Sequence, residues 1–477
     1  MGRKRREFEQ FQDWFIRLYP ELAEEIKRKH EMGDDEAFSK LVRTVTFQVT
    51  DDCSLACKYC YQINKGKRKM SWDVAKRMVD LLLSGDKGFN EYFIEQPKAI
   101  ILEFIGGEPL LEIELIDKIV DYFREQAILL NHPWAERFVI SICSNGVAYR
   151  DKKVQAFLNK NKHIVSFSVT VDGTKELHDS CRVFPDGSPS YDIAHDAAMD
   201  WKNKGNDMGS KITLAPSNVM YFSDCLKQMI FDGYYEINAN CVYEKGWTVD
   251  HAGEIWRQSK EFADWFISSD YDIEEYSISF FNYNHGTPMS PDDDQNWCGG
   301  NAAMLSVDPE GLLFPCIRYM ESSLGCDRKP IIIGDVWNGL VQRPEEKDIV
   351  HCMQCIGRRS QSSDECFYCP VASGCSWCSA YNYQVNGTVD KRATYICEPH
   401  KARCLALTYY WNHYYHEKGQ NEEVHDLWIP RQWAIPIMGE KDYKDLKELT
   451  LKMGGYVNDS EIMIKNYKKK RRWEFKK

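Results

Sequence analysis

Six short apolar runs set the frame for this chain. They lie at 44–50 (TVTFQVT), 99–105 (AIILEFI), 138–143 (FVISIC), 164–171 (IVSFSVTV), 211–215 (KITLA) and 236–242 (EINANCV). Each has the length of a strand and is bounded by turn residues. Between them fall stretches with helical spacing. One starts at the N-cap Ser71 and carries Val74, Met78, Val79 and Leu82; another is expected at about 112–128. Strands alternating with helices predict an α/β fold with a parallel sheet and helices outside it. Six strands are too few for a closed eight-stranded barrel, and they suit an open, partial (β/α)6 barrel. In such folds the chemistry sits at the C-terminal ends of the strands. Here those ends carry a cysteine cluster, Gly106-Gly107-Glu108-Pro109, Ser144-Asn145-Gly146 and Asp172-Gly173. Four signals therefore converge on one face.

The flanks read differently. Residues 1–43 show apolar residues at three- and four-residue spacing (Phe8, Phe11, Phe15, Leu18, Leu22, Ile26) and predict a helical segment. The partial barrel is expected over 44–275 and a cysteine-rich domain over 276–410. A C-terminal extension, 411–477, closes on a tail (KNYKKKRRWEFKK) with eight basic residues in thirteen. No apolar run approaches the ~18–20 residues that span a bilayer, and MGRKRREFEQ lacks the apolar stretch of a signal peptide. The expected compartment is the cytoplasm, with no membrane partner. Lys and Arg number 61 against 72 Asp and Glu, a net charge of −11, which argues against nucleic acid as the main partner.

A reducing compartment gives the 18 cysteines meaning, because clustered thiols there point to metal or redox chemistry. Cys53, Cys57 and Cys60 form a CxxxCxxC loop after the first strand. Three thiolates on one short loop can hold three irons of a cubane and leave the fourth open. Structural zinc usually takes paired CxxC or Cys/His ligands, and no second pair lies near this loop. Eleven more cysteines lie between Cys298 and Cys404; Cys143, Cys181, Cys225 and Cys241 are scattered and read as packing.

The CxxxCxxC spacing, the aromatic Tyr59 before its last cysteine and the GGEP turn about fifty residues on resemble the radical S-adenosylmethionine (SAM) superfamily. The resemblance implies a [4Fe–4S] cluster on Cys53, Cys57 and Cys60. It puts Tyr59 near the adenine, and Gly106, Gly107 and Glu108 at the SAM amino group. The stretch TVDGTKELHDSCR resembles radical SAM peptide and protein maturases, which implies Thr170 and Arg182 as carboxylate contacts. Asn145 is a candidate ribose or carboxylate contact; an ordinary Asn-Gly turn is the equal alternative.

Cys298, Cys316 and the run Cys366-x2-Cys369-x5-Cys375-x2-Cys378, then Cys397, resemble the SPASM domain of such maturases. That resemblance implies two auxiliary [4Fe–4S] clusters, the first on Cys298, Cys316 and Cys378, the second on Cys366, Cys369, Cys375 and Cys397. The gap between Cys375 and Cys378 is one residue shorter than the family's. The first cluster lacks an evident fourth ligand; Cys326, Cys352 and Cys355 are candidates, and an open iron is the alternative. Cys404 reads as packing.

The implied activity is modification of a ribosomally made precursor peptide through a 5′-deoxyadenosyl radical, with a cysteine-to-carbon thioether as the preferred product. Alternatives are sulfatase-maturase-like protein oxidation, other peptide cross-links, a non-peptide substrate, or a non-catalytic zinc-binding interaction protein. Asn282 stands where sulfatase maturases carry an aspartate base, which argues against that activity. The implied partners are the peptide and an electron donor such as flavodoxin or ferredoxin. Leader recognition falls to the first 43 residues, the basic tail or a separate protein.

Overall fold

The structure is a computed structural model. It describes residues 42–459 except 86, 94–96, 207–208, 295–299, 301–302, 326 and 421–422. The expected N-terminal helix, the basic tail, Cys298 and Cys326 lie outside the described residues. The strands are β1 (Val42–Thr50), β2 (Ala99–Gly106), β3 (Phe138–Ser144), β4 (Val165–Val169), β5 (Ser210–Leu214), β6 (Glu236–Cys241), β7 (Ser277–Ile278), β8 (Met304–Val307), β9 (Leu312–Phe314), β10 (Gly334–Asp335) and β11 (Gly339–Leu340). All six apolar runs form strands.

They do not form one sheet among the described residues. β1–β4 lie in an eight-stranded sheet of order β11-β10-β9-β8-β1-β2-β3-β4, and β5–β7 make a separate three-stranded sheet. One physical reason sits at β5. The Thr213 backbone N–H is taken by the Asp172 carboxylate at 3.1 Å instead of by a neighbouring strand. Two compact units result, interleaved along the chain. The first takes residues up to Val171, Cys181–Met208 and Cys298–Ile356; the second takes Asp172–Ser180, Gly209–Trp297 and the chain from Gly357 onward. These units do not follow a boundary at 275, because β8 pairs in parallel with β1, Thr46 opposite Ser306.

In the first unit β1 is sandwiched between β2 and β8, both parallel to it, and is buried along almost its whole length. β2, β3 and β4 continue the parallel order. Helices α1 (Trp72–Leu83), α2 (Ile113–Leu129), α3 (Lys152–Lys160) and α4 (Tyr191–Asn203) belong to the same unit. Ser71 caps α1 as expected, its side chain accepting from the Val74 N–H. α1 buries Val74, Met78, Val79 and Leu82; α2 buries Ile116, Ile119, Val120 and Phe123. Truncating wholly buried Met78 to Ala would cost about 2–5 kcal/mol. Along β2 the pleat alternates: Ile100, Leu102 and Phe104 are buried, while Ile101, Glu103 and Ile105 face the other side, partly exposed.

The second unit holds α5 (Phe222–Phe231), α6 (Val249–Ile267), α7 (Cys397–Glu417) and α8 (Arg431–Lys452). Its core is aromatic. Phe281 stacks between Phe262 and Tyr410, with ring centroids 5.8 and 4.6 Å apart. The Trp256 indole N–H on α6 donates to Asp442 on α8 at 3.1 Å. Among the described residues no helix is long and apolar enough to cross a membrane.

Candidate metal and cofactor centre

The three-cysteine loop leaves β1 at Thr50. Its backbone is fastened to a later segment: Ala56 N–H donates to Val183 O at 2.8 Å and Lys58 N–H to Cys181 O at 2.9 Å. Lys65 closes it from the far side, its ammonium donating to Leu55 O at 3.0 Å. Burial pushes the Cys53 and Cys57 thiols up; Lys65 opposes this at Cys53, and Arg182 then Lys65 at Cys57. A loop with three thiols and two facing cations is suited to thiolates.

The GGEP turn is fitted against this loop. Gly107 N–H donates to Thr50 O at 3.0 Å and Glu108 N–H to Asp52 O at 2.8 Å. A Cβ on Gly107 would sit 2.2 Å from Asp52 O, so the sequence needs glycine here for contact with β1's own end. Glu108 is buried and ties β2 to β3. It accepts from Ser144 Oγ at 2.7 Å, from Leu110 N–H at 3.1 Å and from Asn145 N–H at 2.8 Å. Burial raises its pKa, and those three bonds and Arg182 pull it back. A carboxylate has about four acceptor positions, so room for one further donor remains.

The other expected residues gather around the same loop. The Asn145 amide donates to Ser54 Oγ at 3.0 Å and lies 3.8 Å from Cys53 Sγ. It does more than shape a turn. Gly146 makes the turn, at φ 80°, where a Cβ would meet Val169 Cγ1 at 2.7 Å. Arg182 Nη1 lies 3.9 Å from Cys57 Sγ, and its guanidinium sits 5.3 Å from the Tyr59 ring centroid. Thr170, just past β4, donates its N–H to Ser144 O at 2.9 Å.

Sequence reasoning missed a polar layer on the other side of this sheet, buried at Thr46 and Ser306 and partly exposed at Glu103 and Ser141. Register places Ser306, Thr46, Glu103, Ser141 and Ser166 side by side across β8, β1, β2, β3 and β4. Thr46 Oγ1 donates to Glu103 at 2.5 Å. Tyr61 lies beside them, with the Arg318 guanidinium 5.4 Å from its ring. Its pKa is raised by burial and then by Cys60 and Glu103. The signal was available: a lone Glu inside AIILEFI.

In the second unit Cys366, Cys369, Cys375 and Cys397 act electrostatically on one another and are grouped as a cage. Cys366 rides a short helix, Asp364–Phe367, capped by Ser363; Cys397 opens α7. Burial pushes Cys369 and Cys397 up to about 12, and neighbouring cage thiols add to it. Arg392 reaches in, donating to Cys375 Sγ and Cys375 O, both at 2.9 Å. Among the described residues no three His, Cys, Asp or Glu side chains are disposed to hold a single metal ion. Four mutually close thiols with a guanidinium among them fit the donor set of an iron–sulfur cluster. Cys316 lies in the first unit and Cys378 in the second, where its sulfur accepts from Tyr381 N–H at 3.4 Å. Cys352 and Cys355 are exposed. Cys404 is buried, 3.4 Å from His400 Nε2. Asn282 is a turn residue, accepting from Asn284 N–H at 2.9 Å.

Residues 42–183, which span the loop, the GGEP turn, Asn145, Thr170 and Arg182, match the 4Fe-4S single cluster domain family. The radical SAM cyclopropyl synthase TigE of Paramaledivibacter caminithermalis is 22% identical over 317 residues, 60% of this chain and 61% of TigE. The chain is therefore similar to a radical SAM enzyme over more than half of its length. An uncharacterized protein of Methanocaldococcus jannaschii is 26% identical over 204 residues, 43% of this chain and 64% of that protein. The chain thus spans less than two thirds of the length of these relatives. A solved structure of native anSMEcpe with bound AdoMet and Cp18Cys peptide shares the fold, at TM-score 0.55 and 15% identity, covering 79% of this chain and 97% of that one.

Proposed function

We propose that this radical SAM protein is a peptide maturase that joins a cysteine sulfur to an unactivated carbon of a ribosomally made precursor peptide. The observation that carries the reading is the convergence of Cys53, Cys57 and Cys60 with Glu108, Asn145 and Arg182 at the ends of β1, β2 and β3. Cys53, Cys57 and Cys60 would hold the cluster. Glu108, with Gly106 and Gly107, would receive the SAM ammonium; Arg182 and Thr170 the carboxylate; Asn145 the ribose or carboxylate; Tyr59 the adenine. Bound together, cluster and SAM supply a 5′-deoxyadenosyl radical that takes a hydrogen atom from carbon.

The chain's own residues prepare that chemistry. Three donors fix the Glu108 carboxylate before any ligand arrives, which lowers the ordering cost of binding. Lys65 and Arg182 offset the negative charge of the thiolates. The polar layer around Glu103 gives a peptide side chain hydrogen-bonding partners beside the reacting face. Cys366, Cys369, Cys375 and Cys397 would hold one auxiliary cluster. Cys298, Cys316 and Cys378 would contribute to another, with Cys352 or Cys355 among the candidates for its fourth ligand. A flavodoxin or ferredoxin is the proposed donor.

TigE is named a cyclopropyl synthase, so a carbon–carbon bond is the competing product. Both products lose about two hydrogens per link. The test is anaerobic reconstitution with SAM, a reductant and precursor peptides encoded nearby. Formation of 5′-deoxyadenosine and a lighter peptide whose cysteine no longer takes iodoacetamide supports a thioether. A lighter peptide with reactive cysteine replaces it with carbon–carbon closure. No SAM cleavage by iron-loaded protein sinks the enzyme reading.

A further inference from the structure

Two arginines in the second unit have no carboxylate to answer. Arg392 gives its Nη2 to Cys375 Sγ and Cys375 O at 2.9 Å and to Ser376 O at 3.4 Å. Arg403, on α7 six residues after the ligand Cys397, donates from Nε to Phe280 O at 3.0 Å, and from Nη2 to Ser279 O and to His285 Nδ1, the latter at 2.7 Å. Neither is paired with Asp or Glu among the described residues, and the negative groups that act on them are cysteines. For Arg392 these are Cys375, Cys366, Cys397 and Cys369; for Arg403 they are Cys404, Cys241 and Cys375. Burial acts first on both guanidiniums. A cation withdrawn from water without a partner is costly. Removing that cost takes anions where the cysteines are.

Four thiolates on a cubane carry a formal charge of about −2 when oxidised and about −3 when reduced. The Arg392 guanidinium brings the reduced site to about −2. We infer that Arg392, which bonds the Cys375 sulfur, is a built-in counter-charge for the Cys366/Cys369/Cys375/Cys397 cage, so that a cluster held there takes an electron more readily. N–H···S bonds and nearby positive charge both favour the reduced form. The inference rests on reading the cage as an iron–sulfur site.

The test uses the full, iron-loaded chain and the redox signal that disappears in C375A. In R392Q the midpoint potential of that signal shifts negative, and the chain loses cage iron faster to a chelator. R392K keeps the charge and restores most of the shift. After iron is stripped, R392Q is at least as heat-stable as the wild type, because its stabilising partner was the cluster. An unchanged midpoint in R392Q, equal shifts in R392Q and R392K, or an equal loss of stability with and without iron overturns the inference. If R392Q does not fold, R392M, apolar and of similar length, supplies the same readings. The cluster reading fails separately, if C375A removes no iron from the wild type or if the cage holds zinc.

Discussion

The two cysteine sites solve different problems with the same ligand. The loop after β1 offers three thiols, and around them sit Lys65, Arg182, the Asn145 amide and the Glu108 carboxylate, the last with room for one further donor. The cage offers four thiols, and the guanidinium beside them is spent on cage atoms, Cys375 Sγ and Cys375 O. A site that must take up a ligand needs one metal position free and polar groups waiting. A site that only holds charge needs every position filled and its field balanced. On the proposed reading, the contrast separates a place for chemistry from a place for electrons.

The largest effect that would break this contrast comes from deleting one ligand on each side. Cys57→Ala should abolish 5′-deoxyadenosine formation while leaving cage iron in place. Cys375→Ala should remove about four irons and leave SAM cleavage measurable, with the peptide product lost. Iron analysis and a SAM-cleavage assay on both variants decide it. If Cys375→Ala stops SAM cleavage while the loop keeps its iron, the division of labour is wrong.

Glu108 sharpens the comparison next. In Glu108→Gln an NH2 group replaces an oxygen that now accepts a donor, so at least one bond to Ser144, Leu110 or Asn145 is lost inside the protein. The expected cost is about 2–3 kcal/mol of folding stability, read as a lower denaturant midpoint, together with weaker SAM binding. Weaker binding at unchanged stability would make Glu108 a ligand group only. Arg182→Lys should act on the ligand side, because an ammonium cannot form the paired fork to a carboxylate. SAM affinity should fall about tenfold, ~1.4 kcal/mol, by calorimetry on the iron-loaded chain. No change would remove Arg182 from the site.

What was legible in the sequence was local. Strand composition marked β1 to β6, and the spacing of Cys53, Cys57 and Cys60 marked the loop, because neighbours in sequence stay neighbours in space there. The pairing of β8 with β1 was not legible: Thr46 and Ser306 are 260 residues apart, and MLSV carries no signal of its partner. Arg392 was missed for the same reason, since its guanidinium meets the Cys375 sulfur only through folding. Asn282 was read through a resemblance, and its hydrogen bond to the Asn284 N–H shows a local turn role. Glu103 alone could have been found, as a charge inside an otherwise apolar strand.

The smallest expected effect concerns the platform under the loop. Asp308, only 3% exposed, receives the N–H groups of Glu310 and Leu312 at 3.0 and 2.9 Å. Burial nevertheless raises its pKa to about 6 from the ordinary 3.8. It lies in the field of Arg68, which grips Asp51 at 2.5 Å just before Cys53. A carboxyl whose folded pKa is raised binds its proton more tightly in the folded chain. Its contribution is therefore favourable at low pH and is lost as pH rises from about 3.8 through about 6. Asp308→Asn keeps the accepting oxygen and removes the charge. Unfolding at pH 4 should match the wild type, and at pH 7 the variant should be the more stable of the two. The loop should follow, with Cys57 less accessible to alkylation at pH 7 in the iron-free variant, while the cage cysteines, in the other unit, do not change. Equal losses at both pH values would mean that the carboxylate's bonds to the β8–β9 turn outweigh its burial, and that the three-cysteine platform is as insulated from pH as the cage.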